Sequence, residues 1–276
     1  MVTKISAVVL TKNEEKNLPD CLESISWVDQ IVVVDDLSTD RTVEIAKAAG
    51  CHVVIHAMQS HPHQRTLGIS HCSFDWILML DADERVPPSL REEIRAWQPL
   101  DEKVYTGYYT IRQEFLFWRK VQHGIWAPKY HWFRKHHIRL FRKDKCFFRM
   151  DQIVHEVAEG EGPIARLLHP VHHVNANPDI GTRFQKEIRD ARREGELRFR
   201  RGLRVRWYDF IFRPLLGFFK SFVWLRGFMD GVNGLVIAWC ILITQVCICS
   251  QVYEKQEEMT GLEVRKREVQ SLWRNS

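Results

Sequence analysis

Three polar clusters with chemical potential each follow a run of apolar residues. Asp81, Asp83 and Glu84 follow Ile77–Leu80 in DWILMLDADERV, Asp35 and Asp36 follow Ile31–Val34, and Thr11–Glu14 follows Ile5–Leu10. Asp81 and Asp83 sit at alternate positions at a strand end, so one or both can reach into a cleft. Hard oxygen donors with open coordination positions suit Mg2+ or Mn2+, and such an ion can bridge a diphosphate. It would neutralise charge building on a departing nucleoside diphosphate. Asp or Asn after a strand often caps the next helix, but a cap explains one residue per loop. Carboxylate pairs in two loops call for something more.

The elements that position these clusters alternate. Strand-like Ile5–Leu10, Gln30–Val34, His52–Ile55 and Trp76–Leu80 are interleaved with helical patterns at Glu14–Ser24, Arg41–Ala49, Gln64–His71 and Ser89–Trp97. Uninterrupted apolar strands alternating with helices predict a mostly parallel sheet covered on both faces, with ligands gathered at the strands' carboxyl ends. Tyr105–His173 reads as mixed strands and loops rich in aromatics and His, and Gly181–Arg201 as a helix.

Asp209–Asp230 has a wide apolar face and a cationic edge of Arg213, Lys220 and Arg226, which suits a membrane interface. Val232–Cys249 carries no charge; as a helix it spans roughly 27 Å, marginal for a bilayer core of about 30 Å. A short span, a hairpin with the preceding helix and a buried soluble helix all remain open. The tail from Tyr253 is charged and predicted to be a solvated helix.

Composition narrows the class. With 276 residues, 45% hydrophobic and 27% charged, the chain can bury a substantial core and is not globally disordered. The net charge of +5 is unevenly spread: Arg183–Arg206 holds ten Lys or Arg against four Asp or Glu. Beside an interfacial helix such cations favour anionic lipid. Seven scattered cysteines without a CxxC pair fit reduced thiols in a cytoplasmic compartment. The amino-terminal apolar run is too short for a signal peptide and reads as a strand.

VVLTKNEEKNL, VVVDDLSTDRT and DWILMLDADE, in that order, resemble the start of a family-2 glycosyltransferase with the GT-A fold. IRLFRKD, VHE, PVHHV and RPLLGFFKSFVWLRGFMDGVNGLVIA extend the resemblance to the subgroup of the lipopolysaccharide core β-1,4-glucosyltransferase, over about residues 3–250. The resemblance implies a GT-A fold, Rossmann-like with helices on both faces of its sheet, and an inverting transfer from a nucleotide sugar. Thr11, Asn13 and Glu14 match the nucleotide-pocket motif, and Asp36 the carboxylate that reads the base, a sensible partner for a uracil N–H. Asp81 and Asp83 match the metal-binding pair, with Asp83 the first choice as direct ligand. Gln64 and Arg65 match a pocket helix, although Thr66 stands where Asn is expected. Glu156 falls at the acceptor-activating base, with Asp151 as fallback. His173 resembles a late His that completes the metal shell, with His155 and His172 as competitors. Trp126, Trp132 and the 131–142 stretch are assigned to the acceptor side.

These readings divide the chain into a catalytic domain at 1–206, a membrane-associated hairpin or single span at 207–252, and a charged helix or tail at 253–276. The expected enzyme works at the cytoplasmic face of the inner membrane, peripherally or through one short span. It passes a hexose from a UDP-sugar to a lipid-linked saccharide of the cell envelope. A polyprenyl-phosphate acceptor is the enzymatic alternative. A basic nucleic-acid-binding protein and a non-catalytic interaction protein are the alternatives from other classes, and nucleic acid is not an expected partner. Oligomerisation stays open.

Overall fold

The computed structural model describes residues 3–96, 105–128, 137–149, 158–174 and 180–259, with 261 and 273. In it the four apolar runs become adjacent parallel strands: β1 (Ile5–Thr11), β2 (Gln30–Asp35), β3 (His52–Ile55) and β4 (Trp76–Asp81). Helices α1 (Leu18–Ser24), α2 (Thr42–Ala48) and α3 (His61–Ser70) connect them in turn. After β4 come β5 (Glu84–Arg85) and α4 (Pro88–Ala96). Then follow β6 (Gly107–Thr110), β7 (Arg112–Leu116), β8 (Arg119–Lys120) and β9 (His137–Arg142). The short strands β10 (Cys146–Phe147), β11 (Glu159–Gly160), β12 (Ile164–Arg166) and β13 (Val171–His173) complete the first part.

The main sheet has seven strands in the order β12-β6-β9-β4-β1-β2-β3. Only β9 runs against both of its neighbours, so the sheet is mixed but mostly parallel. A four-stranded sheet, β5-β13-β7-β8, begins where β4 ends. Strand alternation feeds both faces of the main sheet. Ile5, Ala7 and Val9 pack with Leu18, Cys21, Leu22, Leu90 and Ile94, while Val8, Val32 and Val34 pack on the opposite side toward α3. There Gly68 lets α3 approach closely, because a Cβ would lie 2.5 Å from Val8 Cγ1 and 2.9 Å from Val34 Cγ2. All seven cysteines are free thiols.

Helix boundaries shift from the expected ones for local reasons. α1 begins at Leu18 rather than Glu14, since Asn13 takes a left-handed φ of 54° and Pro19 sits in the first turn. α3 begins three residues early because Ser60 caps it, accepting the His63 N–H at 3.3 Å.

The chain resolves into two compact units, one of Met1–Val121 and Trp126–Pro178, the other of Gln122–Ile125 and Asp179–Ser276. The second contains α5 (Ile180–Arg200), α6 (Asp209–Phe219) and α7 (Val232–Met259). α5 therefore groups with the C-terminal helices and not with the catalytic domain to which the sequence reading gave it. Ala191, Val205, Ile248, Cys249 and Val252 form its core with α7. α7 also continues through Tyr253–Met259, so the charged tail does not start a separate helix there.

Asp209–Asp230 is not one helix. α6 passes into a π-helical turn at Lys220–Trp224, Arg226 turns left-handed at φ 57°, and Gly227–Asp230 forms a 3-10 turn. Close backbone approach explains the break. A Cβ on Gly227 would lie 2.7 Å from the Ser221 carbonyl oxygen, and one on Gly234 would collide with the Gly227 carbonyl oxygen. Asp230 then ties down Gln122 and His123, accepting both backbone N–H groups at 2.9 and 2.8 Å. Gly234→Ala is expected to destabilise the protein by about 1–3 kcal/mol, the cost of overpacking, seen as an early thermal transition in calorimetry. A wild-type melting curve would contradict the packing.

Candidate functional site

The three clusters meet at one edge because the strands are in register. Thr11 pairs with Asp35 across β1 and β2, and Leu10 with Asp81 across β1 and β4. The adjacent carboxylates Asp35 and Asp36 have different tasks. Asp35 is fully buried and accepts from Thr11 Oγ1 at 2.8 Å, from the Ser38 N–H at 2.8 Å and from Ser38 Oγ at 2.6 Å. It shapes the loop. Asp36 accepts from the Met58 N–H at 2.7 Å and from Lys12 Nζ at 2.6 Å. Burial pushes its carboxyl upward, but Lys12 and the Met58 N–H outweigh that and hold it below the usual carboxylate range.

Asn13 and Glu14 sew this edge together. The Asn13 N–H donates to Ser38 Oγ at 2.8 Å and its Oδ1 accepts the Thr39 N–H at 2.8 Å. The Glu14 N–H donates to Thr42 Oγ1 at 2.8 Å, and its carboxylate accepts from Asn17 Nδ2 at 2.7 Å. Gln64 is buried, its amide spent on His56: Nε2 donates to the His56 carbonyl at 2.7 Å and Oε1 lies 3.0 Å from Nδ1. It anchors α3. Arg65, the next residue, lies 3.5 Å from Asp81 and over the Phe148 ring at 5.4 Å.

At the tip of β4 the acids are neutralised by residues from distant elements. Glu84 is fully buried against Arg139 at 2.5 Å, and its second oxygen accepts the Asp81 N–H at 3.1 Å. Burial drives the Glu84 carboxyl upward while Arg139 opposes it. Partial burial also pushes the Asp81 carboxyl upward, but Arg65 and Arg139 prevail and keep its pKa low. Asp81 therefore remains an anion between two guanidinium groups.

Asp83 has a different partner. β13 runs beside β7 with His173 opposite Glu114, and beside β5 with His173 opposite Glu84. The buried His173 ring spans two carboxylates, with Nδ1 2.6 Å from Glu114 Oε2 and Nε2 2.9 Å from Asp83 Oδ2. Arg112 closes the row, 2.6 Å from the other Glu114 oxygen. Burial alone would depress the imidazole pKa; Glu114 and Asp83 reverse this and raise it from 6.5 to about 9. His172 points to the other side of the strand, its ring 5.0 Å from Phe115, and is lowered mainly by burial.

Of the expected metal ligands, Asp83 and His173 come together, and Asp81 lies beside Arg65 and Arg139. Among the described residues no group of three His, Cys, Asp or Glu is set to hold a metal. A carboxylate and an imidazole whose second nitrogen is fixed by Glu114 do fit a divalent ion that takes its remaining ligands from phosphate and water. Glu156, Asp151, His155 and Trp132 lie outside the described residues. Trp126 is buried, in keeping with a packing role.

Sequence reading missed Arg112 and Glu114 altogether and gave Arg139 no specific role. Arg139 carried a signal, since it lies within the IRLFRKD motif. Arg112 and Glu114 stand two apart on β7, a spacing that any half-exposed strand shows.

Two predictions follow from these contacts. Arg139→Ala leaves a buried Glu84 charge unpaired and is expected to cost about 3–5 kcal/mol in denaturant unfolding; a loss below about 1 kcal/mol would contradict the pair. Because the His173 pKa is raised on folding, from 6.5 to about 9, its contribution is complete below pH 6.5 and disappears as pH rises through 9. It amounts to about 3 kcal/mol at most. Metal-free wild-type protein should lose stability over that interval more steeply than His173→Gln. Parallel profiles would contradict the bridged imidazolium.

Residues 6–156, just over half of the chain, match the model of Glycosyl transferase family 2. A lipopolysaccharide core biosynthesis glycosyltransferase, LpsC of Rhizobium meliloti, is 27% identical over 249 residues, covering 85% of this chain and 89% of LpsC. A glycosyltransferase of Rickettsia typhi is 39% identical over 92 residues, 33% of this chain and 32% of that protein. A crystal structure of glucosyl-3-phosphoglycerate synthase from Mycobacterium tuberculosis, in complex with Mn2+, UDP-glucose and phosphoglyceric acid, is 23% identical. It aligns over 40% of this chain and 44% of that one, with a TM-score of 0.35. The alignments thus span about a third of the Rickettsia relative and under half of the synthase.

Proposed function

The chain belongs to Glycosyl transferase family 2, and we propose from that premise that it is an inverting, divalent-metal-dependent hexosyltransferase using a UDP-sugar. The observation that carries the reading is the convergence of Asp83 and His173 at the β4 edge, beside the anionic Asp81. The loop of Thr11, Asn13 and Glu14 and the carboxylate of Asp36 frame the nucleotide, with Asp36 in the charge state that accepts a base N–H. Arg65 and Arg139 orient Asp81 and keep it ionised. A divalent cation held by Asp83 and His173 would neutralise charge on the departing diphosphate. Glu156, with Asp151 as fallback, takes the proton of the attacking acceptor hydroxyl.

The acceptor we propose is a lipid-linked saccharide of the cell envelope, in keeping with the lipopolysaccharide-core name of the R. meliloti relative. The second unit supports work at the cytoplasmic face of the inner membrane. Among the described residues α7 is the one helix long and apolar enough to cross a bilayer. Its later turns pack against the charged α5, where Thr244 Oγ1 donates to Glu187 at 3.3 Å and Gly195 fits against Gln251. Carrying α5 into a hydrocarbon core would bury its charges at high cost. On that ground our reading lays the helices in the interface.

A thermal-shift panel of nucleotide sugars with and without Mn2+ tests the donor and the metal together. One UDP-hexose should stabilise the wild type by about 2.7 kcal/mol at a hundredfold excess over Kd. Asp83→Ala should remove the Mn2+-dependent part and lower turnover by at least about a hundredfold. Transfer and cation dependence surviving Asp83→Ala would overturn the reading.

A further inference from the structure

α6 and the turn after it leave one side exposed. From Ile211 onward, residues four apart form two adjacent rows on one face. The first holds Ile211, Leu215, Phe219 and Val223, all exposed and all apolar. The second holds Phe212, Leu216, Lys220 and Trp224, with Leu216 67% and Trp224 83% exposed. The remaining faces are in use: Pro214 and Ser221 are buried, and a Cβ on Gly217 would lie 2.9 Å from Ile241. Leu216, Phe219, Lys220, Val223 and Trp224 line an open groove of about 590 Å3.

Lys220 is the one polar side chain in that groove, and its ammonium group makes no ion pair among the described residues. Arg226, exposed and left-handed just beyond the turn, makes none either. The apolar surface continues through Phe228, Met229, Val232, Leu235 and Trp239. Exposed large apolar residues in the first unit are scattered instead, such as Leu37, Trp118 and Leu168. A contiguous apolar face of this kind marks an interaction site, and exposed Trp side chains suit the depth of lipid headgroups.

Charge selects the occupant. An apolar groove with one unpaired ammonium group at its centre complements a ligand that joins a hydrocarbon chain to an anion. We propose that the α6 groove binds an anionic phospholipid of the bilayer, its chain along Leu216, Phe219, Val223 and Trp224 and its phosphate on Lys220. The proposal rests on the membrane-surface reading above and adds the lipid and its site.

Full-length protein is sedimented with vesicles of phosphatidylcholine alone or mixed with phosphatidylglycerol. Wild type should bind the mixed vesicles more tightly. Lys220→Gln should weaken that binding about fivefold, the factor corresponding to about 1 kcal/mol per basic residue, and weaken binding to phosphatidylcholine, whose phosphate is offset by choline, by less. Leu216→Ser with Val223→Ser should weaken both. Lys220→Gln protein binding mixed vesicles like wild type would overturn the lipid site while leaving membrane apposition intact. Wild type binding neither vesicle would overturn both. Binding that is insensitive to these variants, with a wild-type dimer that the double serine variant dissociates, would assign the face to a second copy of the chain. Nucleotide-sugar thermal shifts, equal across all variants, verify that the first unit is folded.

Discussion

The buried Arg139–Glu84 pair is the interaction on which the acidic edge depends. A fully buried carboxylate is tolerable only beside a matched cation, and Arg139 supplies it at 2.5 Å. Glu84 can then accept the Asp81 N–H, which folds the chain back at the tip of β4. That fold brings β5 alongside β13, and the Asp83 carbonyl accepts the Val174 N–H at 2.9 Å. His173 is delivered to Asp83 by this backbone pairing. The charge of the three acids at this strand tip is thus met by residues from other elements, Arg139 and His173 among them, 55 and 90 positions from their partners.

The same geometry sorts the acids by availability. Glu84 and Glu114 are committed to the bidentate-capable guanidinium groups of Arg139 and Arg112. Asp81 faces two arginines at longer range, 3.5 and 4.0 Å, and keeps about a third of its side chain exposed. Asp83 shares His173, and under the proposed metal site the nitrogen facing Asp83 would hold either a proton or the ion, not both. The inner members of the cluster are structural; the outer ones can respond to a ligand.

The sequence made the alternating parallel strands and the convergent edge legible because both rest on local signals: apolar runs of strand length and the loops that follow them. It could not divide labour within a loop. Asp35 and Asp36 look alike in the chain, yet one organises Ser38 and Thr11 while the other meets Lys12 and Met58. Gln64 looked like a pocket residue and is consumed by His56. These distinctions depend on contacts across strands, as do the roles of Arg112 and Glu114. Asp209–Asp230 departs from expectation for another reason. Its apolar face and cationic edge presuppose an unbroken helix, whereas the chain takes a π turn and a left-handed Arg226 before Gly227 meets Gly234 backbone to backbone.

The surface of the second unit follows from this stretch. Lys220 lies with Leu216, Phe219, Val223 and Trp224 along an open groove, and the π turn and the left-handed Arg226 end the helix beyond it. α7 meanwhile presents the charged α5 along its later turns and an exposed Val232, Leu235 and Trp239 near its start. One end of the helix is covered by a water-compatible partner and the other is apolar and uncovered. Such a gradient along one helix is poorly suited to a span, which needs apolar surroundings over its whole length, and well suited to a layer lying in the headgroup region. For the lipid-linked acceptor proposed above, holding the enzyme at the surface would raise the local concentration of acceptor without any new contact to the sugar.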